Sequence, residues 1–143
     1  MTSFFRATLT SVAVAAAMAA APALAETMSF KADLKPAPGV SPTTGQGNVD
    51  GTYDTESRKL SWKGNVSGLS GNPTAAHFHG PADPGQNAGV LLPAAGVKAG
   101  EFEGSTTLTN EQAKVVTADK TYFMIHTAAN PGGEVRGQVT KGK

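Results

Sequence analysis

Gly47-Asn48-Val49-Asp50-Gly51-Thr52-Tyr53-Asp54-Thr55-Glu56-Ser57-Arg58-Lys59-Leu60-Ser61-Trp62-Lys63-Gly64-Asn65-Val66 reads as a β-hairpin. Gly47, Val49, Gly51 and Tyr53 alternate with polar residues, and so do Leu60, Trp62, Gly64 and Val66. A period of two places each set on one face of a strand. The polar run Thr55-Glu56-Ser57-Arg58 supplies the turn between them. The same alternation recurs upstream, where Met28, Phe30, Ala32 and Leu34 make a half-buried first strand before a loop at Pro36-Ala37-Pro38-Gly39 and Ser41-Pro42.

Downstream, Gly71-Asn72-Pro73 breaks the chain, and Ala75 to His79 is a short strand stopped by Gly80-Pro81. Ala82 to Gly96 is a long loop with one extended piece at Val90-Leu91-Leu92. Phe102 and Thr106–Leu108 suggest another strand. One short helix is expected near residues 109–118, opened by the capping box Thr109-Asn110-Glu111-Gln112, with Ala113, Val116 and Val115 turned to the core. Thr121 to Ala128 is a strong strand, Asn130-Pro131-Gly132-Gly133 a tight turn, and Glu134 to Val139 its hairpin partner. Short strands punctuated by Gly and Pro predict an all-β sandwich or barrel in one domain.

The N-terminus stands apart from this pattern. Arg6 is the only charged residue of the first 25, and it precedes an apolar, alanine-rich run that ends at Pro22-Ala23-Leu24-Ala25. This is the form of a Sec signal peptide, with cleavage expected after Ala25 and a periplasmic or secreted destination. No later segment is apolar enough to span a bilayer. The remaining 118 residues, 26–143, form the expected domain and carry 11 basic and 11 acidic side chains. Interspersed charge of zero sum argues against nucleic acid and anionic membranes as partners. The chain has no cysteine, which excludes disulfides, thiol nucleophiles and thiolate metal sites.

Attention therefore falls on the three histidines. His77 and His79 are at i and i+2 in Ala75-Ala76-His77-Phe78-His79-Gly80, so a strand points both rings to one face and Phe78 to the other. His126 lies in Tyr122-Phe123-Met124-Ile125-His126 and shares a face with Tyr122 and Met124. If the two strands are neighbours, three imidazoles and the thioether of Met124 converge. Imidazole suits copper, zinc and nickel, and a thioether favours Cu(I). The competing reading is that these histidines hydrogen-bond loops or form a recognition surface. Ring-nitrogen separations of about 3–4 Å would fit one shared metal. Glu101 and Glu103 share a strand face that reads as solvated, and Glu134 with Arg136 reads as an exposed ion pair. A sharper reading has Arg136 fixing the His126 loop or guiding an anion towards it. No nucleophile elbow and no phosphate-cradling loop is present.

Ala76-His77-Phe78-His79-Gly80-Pro81-Ala82, followed by Ile125-His126-Thr127-Ala128-Ala129-Asn130-Pro131-Gly132-Gly133-Glu134-Val135-Arg136-Gly137-Gln138, closely resembles the CHRD domain family, which has many exported bacterial members. The resemblance spans roughly Thr27 to Val139 and implies an immunoglobulin-like or Greek-key β-sandwich or barrel. In chordin, such domains belong to an extracellular protein that binds growth factors, which implies an envelope or extracellular protein as partner. A more distant similarity links the His77-Phe78-His79 strand to the copper-ligand strand of Cu/Zn superoxide dismutases, and His126 to their late copper ligand. It implies a three-histidine copper site. The chain lacks the metal-bridging histidine, zinc loop and cysteine pair of those enzymes, which speaks against zinc binding and full dismutase activity. The expectation is thus an exported protein binding a transition metal, copper first, through His77, His79 and His126 with Met124 alongside. The alternatives are an interaction module with structural histidines and a dismutase-like copper enzyme.

Overall fold

In the computed structural model, which describes residues 12–22, 24–40 and 42–142, the hairpin of β2 (Gln46–Asp54) and β3 (Lys59–Ser67) forms as the alternation requires. Gly51 pairs with Trp62 and Tyr53 with Leu60 across it. Asp54 closes the turn, its Oδ1 accepting from the Ser57 amide at 2.7 Å and the Glu56 amide at 3.1 Å. Both chain ends of the hairpin extend into a larger sheet. β1 (Thr27–Pro36) pairs with β2, and β6 (Gly100–Thr107) pairs with β3.

The remaining strands are β4 (Pro73–His79), β5 (Val90–Pro93), β7 (Thr121–Thr127) and β8 (Val135–Lys141), with α1 (Asn110–Thr117) between β6 and β7. Together they make eight antiparallel strands in the order β5-β4-β7-β8-β1-β2-β3-β6. The all-β expectation with one short helix holds. The sheet is curled and continuous, because β8 pairs with β1 on one side and β7 on the other. Its two wings close over one core. Trp62 of β3 meets Phe78 of β4 at a ring separation of 5.3 Å, and Phe102 of β6 stacks on Phe123 of β7 at 6.1 Å. Gly104 makes room for the indole. A Cβ there would lie 2.6 Å from Trp62 Cζ2, so a side chain would have to displace the ring.

The helix keeps its expected cap, with Thr109 Oγ1 accepting from the Gln112 amide and the Gln112 side chain accepting from the Thr109 amide. Val116 is its buried residue, and Ala113 packs partly against the core. β4 begins at Pro73, two residues before the expected start. Proline is tolerated there because the first residue of a strand can lie outside the ladder, and the register shifts between Pro73 and Ala75.

The face away from the main core is also covered. Tyr122 and Met124 are buried there in a second small cluster with Ala37 and Ala82, beneath Val40 and Ala88. The loops after β1 and β4 fold back over this face and build a second layer outside the sheet.

Candidate metal centre

β4 and β7 are hydrogen-bonded neighbours, with His77 opposite Met124 and Ala75 opposite His126. The pleat sends Phe78, Phe123 and Ile125 into the main core and the histidines to the other side. The three rings converge there. One ring nitrogen from each of His77, His79 and His126 lies within 4.8 Å of the other two. His77 Nδ1 and His126 Nε2 are 3.1 Å apart. That pair falls inside the range expected for a shared metal, and the outer limit of the trio is wider.

Backbone carbonyls fix two of the rings. His79 Nδ1 donates to Ala88 O at 3.0 Å, and His126 Nδ1 donates to Pro131 O at 2.9 Å. A carbonyl can only accept, so both rings carry the proton on Nδ1 and the lone pair on Nε2. His126 Nε2 accepts from His77 Nδ1. His79 Nε2 is buried and has no hydrogen-bond partner among the described residues. A buried acceptor left unmade costs about 1–3 kcal/mol. Burial lowers the pKa of His77, and electrostatic repulsion between two imidazolium rings at this spacing lowers it further. Burial also lowers that of His79, against the raising effect of the Ala88 carbonyl. Both rings are thereby biased to the neutral form, which is the form that ligates.

Tyr122 supports His79 from below. The two rings stack with centroids 4.8 Å apart and planes 1° from parallel. The Tyr122 hydroxyl donates to Ala88 O at 3.0 Å, so this carbonyl receives both side chains. The Arg136 guanidinium lies over the Tyr122 ring, 3.6 Å from its centroid. Its Nη1 donates to Asn87 Oδ1 and its Nη2 to Gln86 O, both at 2.9 Å.

Two expectations from the sequence change. Glu134 is fully buried and is not the partner of Arg136. Its carboxylate accepts from Thr43 Oγ1 at 2.6 Å, Ser70 N at 2.8 Å, Ser70 Oγ at 2.6 Å and Thr127 Oγ1 at 2.5 Å. Glu134 precedes β8, so it does not share the strand alternation that made it a face-mate of Arg136. Arg136 in turn fixes the loop beside His79 rather than the one carrying His126. Glu101 and Glu103 are exposed as expected.

Met124 lies on the expected face, and its sulfur packs against Gly133 in the second cluster. Gly133 has φ +116°, and a Cβ there would collide with the Met124 side chain. The turn therefore needs glycine to close over Met124 and carry Pro131 O to His126.

No curated protein and no solved structure matches the chain significantly. The family model described as CHRD domain matches residues 30–139, which take in β2 to β7, most of β1 and β8, and all three histidines. The chain belongs to the CHRD domain family.

Proposed function

We propose that the protein is exported and binds a transition metal, with copper the first candidate, through His77, His79 and His126. The observation that carries this is the buried Nε2 of His79, which has no hydrogen-bond partner among the described residues, in a ring that joins His77 and His126 in a trio with one nitrogen from each within 4.8 Å of the others. Metal–nitrogen bonds near 2.0–2.1 Å place two ligand nitrogens about 3.4 Å apart in a tetrahedral site and about 4 Å apart in a linear one. A metal would replace the His77–His126 hydrogen bond, with the His77 proton leaving Nδ1 for Nε2 so that its lone pair is free to ligate. The carbonyls of Ala88 and Pro131 act as the outer partners that orient ligand imidazoles and fix their tautomers. Met124 stands on the same strand as His126 and would add a thioether if its sulfur swung from Gly133, which would favour Cu(I).

Export rests on the leader-like N-terminus. Residues 1–11 and 23 of it lie outside the described residues. Val12, Val14, Met18 and Leu24 are exposed, and the first sheet contact is made by Glu26, whose amide donates to Thr55 Oγ1 at 3.0 Å. No helix among the described residues is long and apolar enough to cross a membrane. Cleavage after Ala25 and delivery to the periplasm or medium would leave the sheet complete.

The test is titration of the purified protein with Cu(I), Cu(II) and Zn(II), followed by calorimetry and a competing chelator. One equivalent should bind, the His77→Ala/His79→Ala double variant should bind none at that site, and affinity should fall below about pH 6 as protons compete for imidazole. Met124→Leu should weaken Cu(I) selectively if the thioether ligates. The 3.1 Å contact of His77 with His126 also favours a second reading, an interaction module in which the trio is structural. That reading wins if no metal binds and the double variant loses stability instead.

A further inference from the structure

A cavity of about 380 Å³ lies beside the histidine cluster, between the loop after β1, the Gly85–Asn87 segment and the Ala129–Gly133 turn. It shares Pro131 with the cluster, since that residue lines the cavity and its carbonyl holds His126. Among the described residues its lining contains one charged side chain, Arg136. A guanidinium has five N–H donors. Two of those of Arg136 go to Asn87 and Gln86, and the others make no hydrogen bond with a described residue.

Asn130 supplies a second, independent observation. It is only 9% exposed and lines the same cavity, yet its side-chain amide makes no hydrogen bond among the described residues. The amide atoms themselves keep contact with solvent, so their donors and acceptor are open to a ligand in the cavity. The lining also contains the apolar side chains of Ala37, Pro38, Val40 and Met124, the last directly across the β7–β8 pairing from Arg136.

From this combination we infer that the cavity is a binding site for a small organic carboxylate. Arg136 would pair the anionic oxygens, the Asn130 amide would complete their hydrogen bonding, and the apolar side chains would take a short hydrocarbon tail. A single guanidinium with no lysine beside it in the lining matches one negative charge rather than the dianion of a phosphate. The stack on Tyr122 and the two bonds to the 86–87 segment hold the guanidinium in place before the ligand arrives, which reduces the entropy lost on binding.

The site does not depend on the metal reading, and it is tested on metal-free, full-length protein. ¹H–¹⁵N NMR titrations with acetate and butyrate should give saturable shifts at the Gly132 and Gly133 amides and at Arg136 Nε. Butyrate should bind more tightly than acetate, and neutral butyramide should give no such shifts. Arg136→Met should weaken butyrate about tenfold or more, the scale of losing charged hydrogen bonds. Val40→Trp narrows the cavity with Arg136 intact and should weaken butyrate similarly, so it decides the matter if Arg136→Met fails to fold. Shifts that do not saturate, that spread over exposed lysines, that butyramide reproduces, or that survive Val40→Trp would overturn the proposal. Metal titration of the same sample reports on the histidines alone, so either conclusion can fail without the other.

Discussion

Glu134 keeps its charge in the interior on donors from three separate segments: Thr43 after β1, Ser70 after β3 and Thr127 at the end of β7. Burial by itself raises a carboxyl pKa, but the bonds from Ser70, Thr127 and Thr43 outweigh it and carry this one down to about 2 from 4.5. The folded state therefore binds this proton less readily than the unfolded chain. The stabilisation is present in full above pH 4.5 and is lost as pH falls towards about 2. Glu134→Gln should cost about 2–4 kcal/mol in denaturant unfolding at pH 7, because bonds to a charged acceptor are replaced by weaker and partly mismatched ones. It should also flatten the acid limb of stability against pH. An unchanged acid limb would mean that other carboxylates set it. The sequence could not reveal this residue. Its donors come from distant segments, and the i, i+2 rule misassigned it because it sits in a turn just before the strand.

Among elements, the most consequential is the segment Gln86–Ala88, which lies across β4, β7 and β8. Three side chains from those strands, His79, Tyr122 and Arg136, bond to it and stack on one another. The long-loop expectation for Ala82 to Gly96 misses this, because nothing local in the segment announces partners on other strands. What was legible was local: the His-x-His alternation, the hairpin turn at Asp54–Arg58 and the capping box of Thr109, each set by residues within four positions of one another. Tyr122→Phe separates the segment from its support while leaving the ring to fill the same space. The Ala88 amide donates to the Tyr122 hydroxyl at 3.1 Å, so its hydrogen exchange should accelerate in this variant, with global stability falling by about 1 kcal/mol. Exchange unchanged at Ala88 would show that His79 and Arg136 hold the segment without Tyr122.

Across the whole molecule, the strand order makes neighbours of β4 and β7, which are separated in sequence by β5, β6 and α1. Their adjacency could not be read from periodicity, which gives faces and not partners. The sequence placed three histidines on two faces of the right kind, and the topology joined those faces. A metal held by His77 and His79 on β4 and His126 on β7 would bind only the folded chain, because the unfolded chain does not hold the three rings together. Binding then stabilises by mass action, about 2.7 kcal/mol at a free metal concentration one hundred times Kd. For a domain of this size that is a rise in Tm of about 10 °C. The rise should disappear in His77→Ala/His79→Ala and shrink at pH 5, where protonated imidazole competes with the metal. Removing residues 1–25 should leave it intact, since Val12, Val14, Met18 and Leu24 are exposed and the sheet starts at Thr27. A rise of equal size in the double variant would place the metal elsewhere and leave the histidine trio with a structural role alone.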